Sequence, residues 1–534
     1  MDVLSIVILS LCGIYMVLNF KHDLHMLQQN SYRPERYWRW LRNSGDLSSV
    51  WRMVDLAMIF LLMASNLLPF QVASLIIAII CVTKAFIIMA RKFKKPLVFT
   101  KRVWRLYGVT AVLSVGAVVA VALCTAGKVY AVIYYGAQIS LLVILGISAL
   151  SWMVVYAALY LLMPVENHIN TGYRKDAERI LRSNTGLKVI GITGSYGKTS
   201  TKHYLHRILS EQYETLMTPG SYNTPMGVVR TVREHLKPYT EIFICEMGAK
   251  QKGDIKEICD IVNPDAGIIT AVGPMHLETF KSIDNVQSTK FELADAIPAD
   301  GFVVVNNDFE YCANRAVGNT QCIRYASSNP EGADYVAKDI HYGNHGTDFT
   351  VTGPDGREMT FHTQLVGECN VSNLLAAIIV ALRLGVPEDK IRYAVDKIAQ
   401  VEHRLNVRHT LSGVTVIDDA FNSNPSGAKM AVDVLSQFTD GKRIIVTPGM
   451  VELGESQYDL NKALGSYIGG KTDVAVIVGH YNREALLDGL RESAMDEDAI
   501  HAVDDFAEAQ RLLSGMLRPG DTVLYENDLP DSFR

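Results

Sequence analysis

Residues 187–200 read LKVIGITGSYGKTS, an apolar run, a glycine-rich turn, a lysine and two hydroxyl residues, followed by the helical pattern KHYLHRIL. A turn of this kind leaves backbone N–H groups open to phosphate oxygens, and the helix start adds its positive dipole. Lys198 supplies a point charge and Thr199 a magnesium ligand. Gly194, Ser195, Gly197, Lys198, Thr199 and Ser200 are therefore candidate contacts for a nucleoside triphosphate. The strict P-loop spacing places glycine at 192, where Ile192 stands, so this is a variant loop. A purely structural glycine turn is the bland alternative. It would not need strand, turn, helix, lysine and hydroxyl together.

Four other residues bear on the same chemistry. Glu246 ends the apolar run EIFICEM, and a strand-end carboxylate beside a P-loop strand is a natural magnesium ligand. His276 follows the strand candidate AGIITAV in a loop; a lone loop histidine is otherwise a surface residue. Lys290 lies in the helical QSTKFELADAI, where the pattern alone reads as an exposed helix lysine. Arg404 stands at the junction of two α/β segments, from which a guanidinium reaches a γ-phosphate when the segments close.

The elements that hold these residues alternate along residues 166–534. LKVIGIT, EIFICEM, AGIITAV and GFVVVNN read as buried strands separated by amphipathic helices, which implies a parallel sheet covered on both faces. Residues 334–366 alternate apolar and polar around glycine turns, as in a small antiparallel sheet at an edge. VSNLLAAIIVALRLGV reads as a buried helix ending at Gly385. VTVIDD, RIIVTPG, DVAVIVG and DTVLYE make a second α/β unit.

The first 165 residues are different in kind. Of 534 residues 49% are hydrophobic and only 20% charged, and residues 56–164 contain no Asp or Glu. That distribution excludes an ordinary soluble enzyme and divides the chain into a lipid-embedded part and an aqueous part. Residues 2–20 read as an uncleaved anchor. Apolar stretches follow at 56–90, interrupted near Asn66 and Pro69, and at 107–126 and 129–163. The basic loops at 21–52 and 91–105 should face the cytoplasm, which five spans with the N-terminus outside satisfy; six spans is the alternative. Lys84 reads as a snorkelling side chain. A net charge of −5 gives no argument for nucleic acid, and eight scattered cysteines without a CxxC pair fit neither a disulfide framework nor a zinc ribbon.

The segment TGSYGKTST resembles the Mur ligase superfamily, ATP-dependent enzymes that join an amine to a carboxylate. EMGAKQKGDI, GPMHLETF, STKFELA, NNDFE, CNVSNLLAA, HRLNV, DDAFNSNP and MVELG follow in the order of its MurF-like branch, over roughly residues 186–520. The resemblance implies a central P-loop ATPase domain, a C-terminal Rossmann-like domain, and ATP with Mg2+ in the cleft between them. It further implies Glu246 and His276 as metal ligands and Lys290 as a carbamylated lysine, itself a metal ligand. Arg404 is implied at the γ-phosphate, Asp419 at the ribose and Asn306 on the adenine side. For Asp418 a structural or capping role is an equal alternative.

Departures from the family pattern fall on the acceptor side. Phe421 stands where Tyr is usual, Cys369 where His is common, TPGM replaces LGDM, and LYENDLPDSF replaces the LVKGS element. The N-terminal UDP-binding domain of MurF has no counterpart; membrane spans occupy its place. The expected protein thus has a helical membrane domain (1–165), an ATP-binding domain (166–405) and a Rossmann-like domain (406–534). It is expected at a bacterial inner membrane, with its catalytic domains in the cytoplasm. There it joins a carboxylate-bearing cell-wall precursor, UDP- or lipid-linked, to an amino acid or peptide amine, with membrane lipids as neighbours. A poly-amino-acid ligase and a non-catalytic nucleotide sensor are the alternatives. An ATP-driven transporter is disfavoured, since no ABC-type signature follows the loop.

Overall fold

The computed structural model describes residues 3–64, 69–91, 93, 95–126, 129–343, 346–420, 423–493 and 495–529. Internal contacts divide the chain into a first unit ending at Thr171 and a second from Gly172 to Leu529. Asn66, Lys92, Lys94, Phe421 and the final five residues lie outside the described set.

The first unit is helical: α1 (Val3–Gln29), α2 (Pro34–Asn43), α3 (Val50–Met63), α4 (Phe70–Ala90), α5 (Lys101–Ala126), α6 (Val129–Ala149) and α7 (Ser151–Ser183), the last crossing the unit boundary. Among the described residues α1, α4 and residues 101–120 of α5 are each long and apolar enough to cross a membrane. Residues 136–149 and α7 pass the same test only together, bent by 72°. Among the described residues that is three candidate spans, or four with the bent pair, beside the five expected. α3 has 14 residues, so at 1.5 Å per residue it is about 21 Å long, against a hydrocarbon core of about 30 Å.

Lys84 also departs from expectation. Its ammonium does not reach outward but lies 2.6 Å from Asp55 Oδ1 and 2.8 Å from the Trp51 carbonyl, over the Trp51 ring at 4.4 Å. Tyr15 donates to the same carboxylate at 2.7 Å. The acid lies one residue before the acid-free stretch, on α3, and α4 turns Lys84 towards it. A second buried network joins Arg52 to Asp23 at 2.8 Å, with Ser151 and Tyr37 donating to the same carboxylate.

The second unit holds two sheets. The first is built in chain order from β1 (Lys188–Thr193), α8 (Lys198–Leu209), β2 (Thr215–Met217), α9 (Pro225–His235), β3 (Ile242–Glu246), α10 (Asp254–Val262) and β4 (Ala266–Ile269). α11 (Leu277–Phe280), α12 (Ile283–Ala296), β5 (Phe302–Asn306), α13 (Glu310–Ala313), β6 (Gln321–Ala326), β7 (Tyr335–Gly343), β8 (Gly346–Thr352) and β9 (Glu358–Thr363) complete it. The order is β2-β3-β1-β4-β5-β6-β7-β8-β9, with β1 to β7 parallel and β8 and β9 antiparallel. The expected small antiparallel sheet is thus a continuation of the main one.

Successive strand residues point to opposite faces. Ile190, Ile192, Ile244, Ile268 and Val304 enter a core with α8 and with α14 (Glu368–Arg383), whereas Val189, Phe243, Ile269 and Val303 meet α9, α10 and α12. α14 is buried from Asn370 to Ala381 and ends, as expected, at Gly385, whose φ is 81°. After α15 (Glu388–Asp396) come β10 (Asn406–His409), β11 (Thr415–Asp419), α16 (Pro425–Ser436), β12 (Arg443–Thr447), α17 (Gln457–Gly469), β13 (Val474–Val478), α18 (Arg483–Glu492), β14 (Ile500–Val503), α19 (Phe506–Met516) and β15 (Thr522–Glu526). They form a six-stranded sheet ordered β10-β11-β15-β12-β13-β14, parallel except for β10.

Candidate active site

The loop between β1 and α8 demands its glycines. Gly194 has φ 154° and a Cβ there would meet Thr270 Oγ1 at 2.0 Å; Gly197 has φ 75° and a Cβ would meet Asn373 Oδ1 at 2.3 Å. No side chain fits either place. Ser195 pins the loop to the segment after β4, its N–H donating to Ala271 O at 2.8 Å and its hydroxyl to Gly273 O at 3.0 Å. Ser200 is buried in the first turn of α8.

Lys198 folds back over the loop, donating to Gly194 O at 2.6 Å. Burial brings its pKa down to about 8, against the pull of Glu246 and with a further push from Arg404. The register Ile192↔Glu246 sets Glu246 beside the end of β1, as expected. Thr199 donates to Glu246 Oε1 at 3.3 Å and Asn223 to the same oxygen at 3.0 Å; Lys202 Nζ lies 2.9 Å from Oε2. Burial alone would raise this carboxyl, but Lys202, Lys198 and Asn223 hold it below its ordinary range.

Lys290 is not an exposed helix residue; it is 2% exposed on α12. Burial, and then the charge of Lys198, push its pKa well below the ordinary value. Its amine is consequently held towards the uncharged form.

His276 pairs through Nδ1 with Glu452, from the loop after β12, and Lys250 Nζ lies 2.9 Å from the same carboxylate. Burial lowers the His276 pKa despite Glu452, so the ring is neutral at pH 7, and a proton on Nδ1 shared with Glu452 leaves the Nε2 lone pair available. Glu452 sits well below the carboxylate range: burial works against ionisation, and His276 and Lys250 overcome it.

Burial lowers the Arg404 pKa, and the charges of Asp419 and Glu246 oppose that shift, so Arg404 stands electrostatically between the second sheet and the P-loop. Asp419 is pushed up to about 6 by burial, against Arg404, and accepts from Leu405 N at 3.2 Å. Asp418 instead takes His403 at 2.8 Å and Ala420 N at 3.3 Å, the structural role. Asn306 is buried with its amide donating to Thr270 O at 2.9 Å and Ser372 Oγ at 3.1 Å, so the side chain orders the loops around it.

Several partners were not legible in the sequence: Lys202, Asn223, Lys250, Glu452 and Glu526. The last ends β15 beside Asp419, 1% exposed, held by the Ser423 and Thr447 hydroxyls, and burial raises its pKa to about 7. Ser423 also lines a small cavity with His276 and Glu452. Backbone strain gathers here: His276, His403, Leu405, Glu452 and Asn527 have φ of 51°, 57°, 46°, 63° and 61°.

Thr199 and Glu246 fit one hard cation between them, and His276 has the oriented ring of a second-side ligand. Among the described residues no three of His, Cys, Asp and Glu converge as a metal-holding group. The remaining donor would have to come from Lys290.

A parallel sheet carrying a P-loop and a second, Rossmann-like sheet, with Arg404 feeling the charges of Glu246 on the one and Asp419 on the other, define a two-lobed P-loop α/β scaffold. The Mur ligase middle domain matches residues 192–381, and the Mur ligase glutamate ligase domain matches residues 403–525. A UDP-N-acetylmuramoyl-tripeptide–D-alanyl-D-alanine ligase of Mycobacterium tuberculosis is 31% identical over 368 residues, covering 64% of this chain and 70% of the relative. The chain belongs to the Mur ligase family. A Bacillus subtilis ligase of the same description is 31% identical over 284 residues, 53% of this chain and 60% of its own length. A crystal structure of MurF ligase from Thermotoga maritima in complex with ADP superposes with a TM-score of 0.61 at 26% identity, covering 67% of this chain and 80% of that one. The chain thus spans about 60% of the length of the Bacillus relative, and the helical first unit precedes the matched residues.

Proposed function

We propose that this chain is an ATP-dependent acid–amine ligase of the MurF-like kind, held in a bacterial inner membrane with the second unit in the cytoplasm. On this reading its three regions are a membrane-embedded domain (1–165), an ATP-binding domain (166–405) and a Rossmann-like domain (406–534). An oxygen of the acceptor carboxylate attacks the γ-phosphorus of ATP and ADP leaves with the bonding pair. The amine then attacks the acyl phosphate carbon, phosphate departs and the nitrogen loses a proton.

The chain's residues divide the work. Gly194, Ser195, Gly197, Lys198, Thr199 and Ser200 cradle the phosphates, and Lys198 and Arg404 offset the charge that develops during transfer. Asp419 faces the ribose, and Asn306 orders the loop on the adenine side. Thr199, Glu246, His276 and Lys290 would hold magnesium, which supplies Lewis-acid stabilisation of the transferring phosphoryl group. The observation that carries the reading is Lys290. Burial tilts this amine towards its uncharged form, the form that adds to carbon dioxide, and the carbamate so formed is an anion on a long stem.

The acceptor is a carboxylate-bearing cell-wall precursor, and its lipid-linked form is favoured because the region ahead of the matched domains is a set of apolar helices and confinement to one membrane surface raises effective concentration. The test measures ADP and phosphate release by full-length protein in detergent, with D-alanyl-D-alanine as amine. A lipid-linked glycopeptide is compared with UDP-N-acetylmuramoyl-tripeptide. Faster turnover of the lipid-linked acceptor is expected. Equal or faster turnover of the UDP form by a chain starting at residue 166 overturns the membrane part, and no ADP release with any acceptor overturns the ligase.

A further inference from the structure

The first unit carries a groove that the ligase reading does not use. α2 is a ten-residue helix between the apolar α1 and α3; it turns Pro34, Tyr37 and Leu41 inward. Its other side, with Glu35, Trp38, Arg39, Arg42 and Asn43, joins Tyr156 of α7 around a cavity of about 520 Å³. Arg39 and Arg42 are three residues apart, so they share a side of the helix, and a guanidinium fork matches phosphate oxygens two at a time. Glu35 is the one acid among these residues, leaving the groove net positive.

An aromatic row borders the same groove. Trp38 lies 5.8 Å from Trp152 and 6.3 Å from Tyr156, and Tyr156 lies 5.2 Å from Tyr160. Trp152, Tyr156 and Tyr160 follow each other at four-residue spacing along α7. Trp38 is 40% exposed and Tyr160 50% exposed. All five tryptophans of the chain (38, 40, 51, 104 and 152) fall in this unit. Such residues gather where hydrocarbon meets water, one end of the ring apolar and the other wet. A short amphipathic helix with arginine on its polar side belongs to the same level of a bilayer.

We infer that this groove binds the phosphate headgroup of a membrane lipid, Arg39 and Arg42 taking the phosphate while Trp38, Tyr156 and Tyr160 lie against the chain below it. The inference rests on the reading of the first unit as membrane-embedded, and it gives a lipid-linked acceptor a place to dock. Lipid and free phosphate share the chemistry seen by the arginines; the aromatic row is what favours the lipid.

The experiment titrates full-length protein in detergent with a polyprenyl monophosphate and reads binding by native mass spectrometry. Phosphatidylglycerol and inorganic phosphate serve as competitors. Wild type should bind the probe, and Arg39→Gln/Arg42→Gln should weaken it roughly 30-fold, from about fivefold per arginine near a membrane surface. Trp38→Ala, which keeps both charges, should also weaken the probe while leaving competition by inorganic phosphate unchanged. Competition by phosphatidylglycerol supports the lipid site and makes it a general one. Unchanged affinity in both variants, or displacement by inorganic phosphate as effective as by lipid, overturns the inference. ADP release on the UDP-linked acceptor, measured on the same variants, separates the two readings: lost lipid binding with retained turnover concerns the groove alone, and absent turnover with intact lipid binding concerns the ligase alone.

Discussion

Lys84 of the helical unit and Lys290 of the second unit are both buried, and they are treated in opposite ways. Lys84 in the helical unit is 5% exposed, with a carboxylate at 2.6 Å, a carbonyl at 2.8 Å and an indole beneath it. Lys290 in the second unit is 2% exposed, and among the described residues no ion pair or hydrogen bond is seen at its amine; the largest influence of a neighbouring charge is the repulsion of Lys198. Burial penalises an ammonium in both places. A counter-ion at hydrogen-bond distance makes the first lysine a fastening between α3 and α4. Without one, burial and Lys198 tilt the second towards its uncharged amine, against the pull of Asp254 and Glu292.

The contrast breaks most visibly in turnover. Lys290→Ala and Lys198→Ala are each expected to slow ADP release about 10⁴-fold, a little over 5 kcal/mol of transition-state stabilisation, while both variants remain inserted and folded. Depleting carbon dioxide should slow the wild type and bicarbonate should restore it. A Lys290→Ala enzyme within tenfold of wild type makes the two lysines equivalent. In the other unit the expected loss is of stability. Asp55→Leu leaves Lys84 buried without its counter-ion and should cost roughly 3–5 kcal/mol, read as a lower Tm in detergent. Adding Lys84→Met should recover most of it.

A buried acid sharpens the comparison from the opposite sign of charge. Glu526, with a folded pKa of about 7 against an ordinary 4.5, favours the protonated folded state. Its contribution is fully present below pH 4.5 and is lost as pH rises through 7, on the order of 3 kcal/mol in all. Asp419, raised to about 6, adds to the same slope. Tm measured from pH 4.5 to 8 should therefore fall for the wild type and fall less for Glu526→Gln; parallel curves would remove Glu526 from the account. The smallest effect is expected for Glu452→Gln, which loosens the His276 ring. Half-maximal turnover should then need about 10–100 times more magnesium, with kcat at saturation little changed.

Much of this arrangement was legible before the structure. Strand, glycine turn and helix announced the P-loop because each has its own local chemistry, and an apolar run ending in Glu246 pointed to a strand beside it. The Lys84 pair was hidden because its acid precedes the acid-free stretch and lies on a different helix. Glu452 and Glu526 were hidden for a related reason: each meets its partners across 176 and 79 or more residues of chain, a separation that no local pattern encodes. The apolar stretch 56–90 did not show that its first helix, α3, is only 14 residues long, and Lys290 on its own pattern looked exposed because helical spacing says nothing of which face a neighbouring helix covers.

The clasp formed by Lys250, His276 and Glu452 joins the P-loop lobe to the Rossmann-like lobe, and its members differ in wetness from the phosphate cradle. The Lys250 and Glu452 side chains are 42% and 27% exposed; those of Lys202 and Glu246 are 0% and 2% exposed. Dissolved ions screen charges over about 10 Å at 0.1 M, and they reach exposed pairs far more than buried ones. Ionic strength therefore weakens the pair that fastens the two lobes together far more than it weakens the pair beside the P-loop, so that salt loosens the clasp before it reaches the cradle.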